Sequence, residues 1–497
     1  MLETKLFLQK LFAAKGLNVA ANRNKMFEIF CAETENISNV NQINELQKKM
    51  VRNWKLSTRI KDIQEHRLSI PNATVGKAYI ASIDFIKLGW NDIIFSEFEG
   101  LAEIGLTYDN QYETLHGMPL LSGDFKIKLL FKVEGETENT PPNEKIIPLV
   151  INADPKSLWK TLPSDKEDKY WKEDSVHNFQ ELGEKHIVVA STRGRSHANV
   201  GSFRDDDFAF KHFAENGWSV VAVSDGAGSA KVSRKGSQIS CQEIVNYFET
   251  AFTPEVTKDF DELIKKFAHE TQTKKMDDFE IVQKLDEEEA TIEETRKDES
   301  ENNKSLVNKF IYNYLGNAAR TVHKILEEFA NKHEFPLKDL HSTLIYALFK
   351  KYDFGYVVLS FGVGDCPIGL LNKDLTELKL MNWLDVGEFG GGTRFITMPE
   401  IFSSDKFATR FGFKLIDDFS YLILMTDGIY DPKFVVEANL EKLEKWVEFL
   451  ADLEGNNEEQ IHIKFDKNNQ EISQKLSDWM NFWSPGNHDD RTLAIVF

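Results

Sequence analysis

The chain has 497 residues, more than one hydrophobic core ordinarily serves, so a single-domain reading is excluded and about three domains are expected. With 41% apolar and 28% charged residues it is neither fibrous nor broadly disordered. Sixty Lys and Arg against 80 Asp and Glu give a net charge of −20, which disfavours nucleic acid as a partner.

Residues 1–66 read as a helical segment. Leu6, Leu8, Leu11 and Phe12 recur at helical spacing, as do Met26, Phe27, Phe30 and Cys31, without strand-like alternation. The opening MLETKLFLQKLF lacks a basic leader followed by an apolar block and cleavage site, and no stretch approaches the roughly 18 apolar residues of a membrane span. A cytoplasmic protein with no membrane partner is expected. Cys31, Cys241 and Cys366 are odd in number and far apart, which fits thiols in a reducing compartment and excludes a CxxC zinc site.

Over 67–150 the texture changes to short β runs, KAYIAS, DIIFSEF and DFKIKLLFKV, divided by Gly, Asn, Asp and Pro, and a small β-sandwich domain is predicted. Gly105-Leu106-Thr107-Tyr108-Asp109, His116-Gly117-Met118-Pro119 and Ser122-Gly123-Asp124-Phe125-Lys126-Ile127 resemble the cadence of bacterial immunoglobulin-like modules; the turns of any small β domain would read the same way. An adhesin would rest on this domain alone, and the missing export leader speaks against it. Residues 151–184, polar with several Trp and Pro, read as a linker.

From position 185 to 497 the pattern is that of a mixed α/β (α+β) domain. IVVA, WSVVAVSD, YVVLSFGVGD, YLILMTD and TLAIVF are β-branched apolar runs that read as buried strands, and residues 238–252 and 306–329 carry apolar side chains every three to four positions, as helices do. A charged insertion spans 253–305. Its stretch 276–304 holds twelve acidic and four basic residues and reads as a solvated helical excursion.

Acidic residues stand where strands stop: Asp205-Asp206-Asp207, Asp225-Gly226-Ala227-Gly228, Asp427-Gly428 and Asp489-Asp490. One Asp-Gly is an ordinary turn. Several such carboxylates converging would raise one another's pKa unless a cation neutralised them, and oxygen-only ligands favour Mg²⁺ or Mn²⁺.

In their order these pieces resemble the metal-dependent type-2C Ser/Thr protein phosphatases, in particular their bacterial branch. The resemblance runs from about position 187 to the end. It rests on Ala190-Ser191-Thr192-Arg193-Gly194-Arg195-Ser196-His197 with Gly201 to Phe208, on Val223-Ser224-Asp225-Gly226-Ala227-Gly228, and on His341-Ser342-Thr343 with Gly362-Val363-Gly364-Asp365. Met425-Thr426-Asp427-Gly428 and Asp489-Asp490-Arg491-Thr492 complete it. It implies a β-sandwich of two antiparallel sheets flanked by helices, with a two-metal centre at one sheet edge. Asp225 would bridge both ions and Gly226 would lend its carbonyl; Asp427 and Asp489 would hold one ion and Asp206 the other, with Asp365 the match for an additional, weaker one. An alignment shifted by one would choose Asp207 over Asp206. The implied chemistry is attack on phosphorus by a metal-activated water, without a covalent phosphoenzyme, on phosphoserine or phosphothreonine of a protein substrate, in opposition to a Ser/Thr kinase.

The sequence departs from the family where many members carry a phosphate-binding Arg, since Gly201 stands there. Arg193, Arg195 and Arg204 remain as anchors, and Arg195 is preferred, with His197 as acid for the leaving alkoxide. Residues 388–393, EFGGGT, read as a mobile flap or a plain Gly-rich linker. No Gly-Lys-Ser/Thr follows the glycines near Gly226, so ATP use is not indicated. A catalytically silent binding or scaffold protein of the same fold, recognising phosphorylated partners, is the alternative that the absent Arg supports.

Overall fold

The computed structural model describes residues 2–274, 299–385, 392–403 and 405–497. Its chain divides into two compact units, Met1–Leu158 and Trp159–Phe497.

The first unit begins with three helices, α1 (Leu2–Ala14), α2 (Asn24–Ala32) and α3 (Thr34–Glu65). Leu8, Phe27, Cys31 and Val40 close a small core among them. Seven strands follow: β1 (Ala73–Thr74), β2 (Tyr79–Ser82), β3 (Ile93–Glu99), β4 (Leu106–Asp109), β5 (Thr114–Gly117), β6 (Gly123–Val133) and β7 (Asn143–Asn152). They form two sheets, ordered β1-β7-β6-β3 and β2-β5-β4. Every second residue of β6 from Ile127 onward and of β7 is buried, so Leu129, Phe131, Ile147 and Leu149 fill the space between the sheets with Leu106 and Leu115. Ile63 and Ile60 of α3 join that core.

The second unit is a four-layer sandwich. One sheet is ordered β10-β11-β12-β13-β16, from β10 (Asp207–Phe213), β11 (Trp218–Ser224), β12 (Leu344–Tyr352), β13 (Gly355–Val363) and β16 (Phe411–Ile416). The other is ordered β15-β14-β17-β18-β9-β8, from β8 (Ser175–Leu182), β9 (Lys185–Thr192), β14 (Ile368–Asn372), β15 (Leu378–Leu380), β17 (Phe419–Met425) and β18 (Arg491–Val496). All pairings in both sheets are antiparallel. Helices α5 (Ser233–Ala251), α6 (Pro254–Lys274) and α7 (Glu299–Lys332) share a core with the first sheet; α9 (Asp427–Phe434), α10 (Leu443–Leu453) and α11 (Ile472–Trp479) share one with the second. The short α4 (Arg195–Val200) and α8 (Glu400–Ser403) lie in connections.

Continuous apolar runs follow from this layering, because a strand covered on both faces needs apolar side chains at every position. Ile187 and Val189 of β9 join the core between the sheets while Val188 and Ala190 join the helix-covered core. Val221 and Val223 of β11 point inward, and Val220 and Ala222 meet α5 and α7.

One expectation is corrected. Residues 151–184 are not a linker throughout: 159–184 belongs to the second unit, and its stretch SVHNFQEL is the edge strand β8. An edge strand with one exposed face tolerates polar residues, which hid it. The first part of the charged insertion, 254–274, is the core-forming helix α6, a helix the reading did not pick out: Phe260, Ile264, Phe267 and Ala268 are buried in the core over the first sheet. Their three-to-four spacing was masked by the surrounding charge. Most of the acidic stretch, 276–298, lies outside the described residues, as do 388–391 of the EFGGGT segment. No helix among the described residues is long and apolar enough to cross a membrane.

Candidate metal centre

The antiparallel layering brings strand ends that are far apart in sequence to one end of the sandwich. Asp206 immediately precedes β10, Asp225 follows β11, Asp365 follows β13, Asp427 opens α9 after β17, and Asp489 precedes β18. Close backbone approach makes this possible. A Cβ on Gly226 would stand 2.6 Å from the Asp205 carbonyl, and one on Gly428 would collide with the carbonyl of Asp490.

Asp206 is wholly buried. Its Oδ2 accepts hydrogen bonds from the hydroxyls of Thr426 (2.9 Å) and Thr492 (2.8 Å), while its buried Oδ1 has no partner. Thr426 in turn accepts from the Thr492 amide at 2.9 Å, so the two hydroxyls are locked to the ends of neighbouring strands. Burial, with repulsion from Asp490 and Asp489, pushes the Asp206 carboxyl up to about 7.

Asp225 exchanges hydrogen bonds with Thr343: its amide donates to the Thr343 hydroxyl at 2.9 Å, and its carbonyl accepts from the Thr343 amide at 2.8 Å. Burial, Asp427, Asp206 and Asp489 hold its carboxyl well above the ordinary range. Asp427 is raised likewise, by burial and by Asp365 and Asp489; its Oδ1 is buried without a partner, and its place on the first turn of α9 only softens the cost of its charge. Burial also raises Asp489 and Asp365. Asp365 accepts from the Thr393 hydroxyl at 2.7 Å, leaving its Oδ1 unpartnered. Donor atoms of Asp225, Asp365 and Cys366 lie within 4.8 Å of one another.

Three carboxylates with orphaned buried oxygens, in a cluster whose members all hold protons too tightly, describe a site built around positive charge. The donor set is oxygen-rich and suits a hard divalent cation. The Cys366 thiol, raised far above its ordinary range by burial, contributes none at neutral pH.

The three acidic neighbours of the opening loop separate cleanly. Asp206 enters the cluster. Asp207 pairs at 2.9 Å with Lys172, whose ammonium also donates to the Asp206 carbonyl at 2.6 Å. Asp205 lies against His197 and Asp490, its carboxyl pushed up to about 6 by burial and by Asp490.

His197 Nδ1 is 3.0 Å from an Asp490 carboxylate oxygen, and Nε2 is 3.8 Å from Asp205. Burial opposes its charge, but the hydrogen bond to Asp490 and the surrounding carboxylates outweigh it and push the imidazole up to about 9. Asp490 is held below the usual range: burial is outweighed by His197 and by the amides of Asp205 and Gly194, the latter at 2.6 Å. It is a tether for the opening loop.

The arginines are committed elsewhere. Arg195 donates to the carbonyls of Phe482 (2.9 Å) and Asn481 and lies over the Trp483 ring. Arg193 donates to the carbonyls of Ser202 and Leu162, and buried Arg204 to the Asp206 carbonyl and Ser191. Sequence spacing did not single out Thr426, Thr492 or the Asp490 tether as supports, nor Asp431, whose carboxyl repels those of Asp427 and Asp489 and helps to raise them. Asp385 is another: paired with Arg410, it accepts from the Gly364 amide at 3.1 Å and fixes the turn carrying Asp365. Their signal, a Thr or Asp beside a strand end, is too common to read in one sequence.

Fold and site together define a helix-flanked β-sandwich with a carboxylate centre at one end. Residues 193–481, more than half of the chain, match the family model of protein phosphatase 2C. The chain belongs to that metal-dependent family of serine/threonine phosphatases. No curated protein matches it. Among solved structures it is similar to serine/threonine phosphatase Stp1 from Staphylococcus aureus, at 14% identity over 64% of this chain and 97% of that one, with a TM-score of 0.33. The catalytic domain of the serine threonine protein phosphatase PstP in complex with 2 manganese ions shares 11% identity over 65% and 98%, with a TM-score of 0.30. A C. elegans sex determining protein shares 12% over 64% and 66%, with a TM-score of 0.35.

Proposed function

We propose that the chain is a Mn²⁺- or Mg²⁺-dependent phosphoprotein phosphatase that removes phosphate from phosphoserine and phosphothreonine without a covalent intermediate. The observation that carries this reading is the convergence of Asp206, Asp225, Asp365 and Asp427, with Asp489 beside them, around buried carboxylate oxygens that find no protein partner. Asp225 would bridge two ions, with the Gly226 carbonyl beside it. Asp427 and Asp489 would hold one ion, Asp206 the other, and Asp365 an additional one. When bound, such ions lower the pKa of water and offset charge on phosphoryl oxygens.

The chain's own groups supply the rest. Thr426 and Thr492 orient Asp206 so that one oxygen is satisfied and the other is free for a cation. Tethered by Asp490, His197 keeps its proton up to about pH 9 and carries only a 3.8 Å ion pair on Nε2, so it can protonate a departing serine or threonine oxygen. Cys241 and Cys366 stay thiols because burial raises both far above their ordinary range, which excludes them as nucleophiles at neutral pH. Arg195 would have to leave the carbonyls of Asn481 and Phe482 to reach a phosphate. Substrates would be phosphorylated proteins in the cytoplasm, and the activity would oppose a Ser/Thr kinase.

Hydrolysis of p-nitrophenyl phosphate and of a phosphothreonine peptide, with and without Mn²⁺, tests this. Turnover that depends on the metal supports it, and none with Mn²⁺ supplied rejects it. The engaged guanidinium groups of Arg193, Arg195 and Arg204 favour one second reading, a catalytically silent scaffold that recognises phosphorylated partners. Calorimetric titration separates the two, since a scaffold with no working centre takes up no pair of Mn²⁺ ions.

A further inference from the structure

Helix α3 is 32 residues long, yet it buries Val40 and Ile63 alone. Leu56 and Ile60 lean with Ile63 on the β core from one side. On a different face, Ile43, Leu46, Met50 and Trp54 follow one another at steps of three, four and four residues, and are 37%, 60%, 63% and 73% exposed. At about 100° per residue these four fall within an arc of about 80°, centred roughly 110° from the Leu56–Ile60–Ile63 face and about 80° from buried Val40, which packs against α1 and α2. Asn39, Gln47 and Ser57 extend the stripe, and no charged residue interrupts it; Lys48, Arg52 and Lys55 fall on the opposite side of the helix.

A row of Leu, Met and Trp side chains left in water marks an interaction surface. We propose that its occupant is a second copy of this chain, with α3 pairing antiparallel to α3 along residues 39–57. Around a two-fold axis the residues beside the axis meet the same short stretch of the other copy, so a charge there would face its like. Gln47 and Met50, which flank the axis, carry none. The antiparallel sense follows from the ends. Residues 34–47 carry two acidic and no basic side chains, whereas 48–65 carry six basic and two acidic, so opposite halves attract and like halves repel. In this register Ile43 lies against Trp54 and Leu46 against Met50 of the second copy. The exposed apolar stripe offers about 500 Å² per copy, roughly 1,000 Å² in all, at the lower bound of specific interfaces. The dimer is therefore concentration-dependent, with dissociation in the micromolar range.

Sedimentation velocity of the full chain from about 1 to 100 μM tests the pairing. The wild type should pass from monomer to dimer, and Met50→Glu should remain monomeric with an unchanged circular dichroism spectrum. Trp54→Gln, a milder change, should weaken the dimer about tenfold or more. Oxidative cross-linking tests the direction, because Cys31, Cys241 and Cys366 are all buried. Gln47→Cys should cross-link to itself, whereas Asn39→Cys and Ser57→Cys should do so only when mixed with each other. A wild type monomeric at 100 μM, a dimer indifferent to both Met50→Glu and Trp54→Gln, or self-cross-linking of Asn39→Cys would overturn the proposal. Stable binding of monomeric wild type to neutral phosphatidylcholine vesicles would also overturn it, by showing a different occupant.

Discussion

Asp206→Asn offers the sharpest test of the carboxylate centre, because the substitution removes one buried charge while Asn Oδ1 can still accept from Thr426 and Thr492. In the metal-free native state the Asp206 carboxyl is pushed from 3.8 to about 7. Between those values the folded chain holds a proton that the unfolded chain has released, so stability falls as pH rises through that window, and the whole penalty stands above pH 7. Losing that proton in the folded state costs about 4 kcal/mol for a wholly buried group. The variant carries no such penalty. At pH 8 in chelator, Asp206→Asn should therefore melt roughly 5–10 °C above wild type, and the gap should close towards pH 4. Adding Mn²⁺ should reverse the order, since the wild type gains binding energy that the variant has forfeited. Differential scanning fluorimetry over pH 4–9, with and without Mn²⁺, reads all three. A variant no more stable than wild type at pH 8 in chelator would show that these carboxylates do not frustrate one another, and the argument for a cation-requiring site would fail.

Three other expectations can be checked. Asp225→Asn should abolish phosphatase turnover, by about 10³-fold or more, while leaving a cooperative melt, because Asp225 stands at the centre of the cluster and its fold contacts run through its backbone to Thr343; a variant retaining a tenth of wild-type turnover would contradict this. Lys172→Met should destabilise the second unit by about 2–4 kcal/mol in urea titration, since it leaves the largely covered Asp207 carboxylate without its cation, and adding Asp207→Asn should restore much of the loss; additive losses would mean that the pair does not act together. Phe260→Ala should cost about 3–5 kcal/mol, because the ring is buried and stacked 3.7 Å from Phe310; a near-neutral result would mean that α6 is not part of the core over the first sheet.

The motifs that mark the centre are legible because the chemistry is local: a buried strand must end, and Asp-Gly ends it while presenting a carboxylate. IVVA, WSVVAVSD, YVVLSFGVGD, YLILMTD and TLAIVF are the strands β9, β11, β13, β17 and β18, since continuous apolar runs advertise burial on both faces. The polar edge strand β8 and the charged, core-forming α6 were not legible, because each presents a solvent face whose composition overwhelms the buried one.

The sequence alone determined the order and identity of the acidic residues and the alternation of buried strands that carries them. Only the tertiary structure distinguished Asp205, Asp206 and Asp207, three identical neighbours whose environments differ: a His197–Asp490 contact, a pair of threonine hydroxyls, and the ammonium of Lys172. It also spent Arg195 on the Asn481 and Phe482 carbonyls. The physical reason is range. Backbone conformation and hydrophobic pattern act between near neighbours in the chain, whereas a carboxylate's charge state is decided by groups hundreds of residues away that folding brings within a few ångströms.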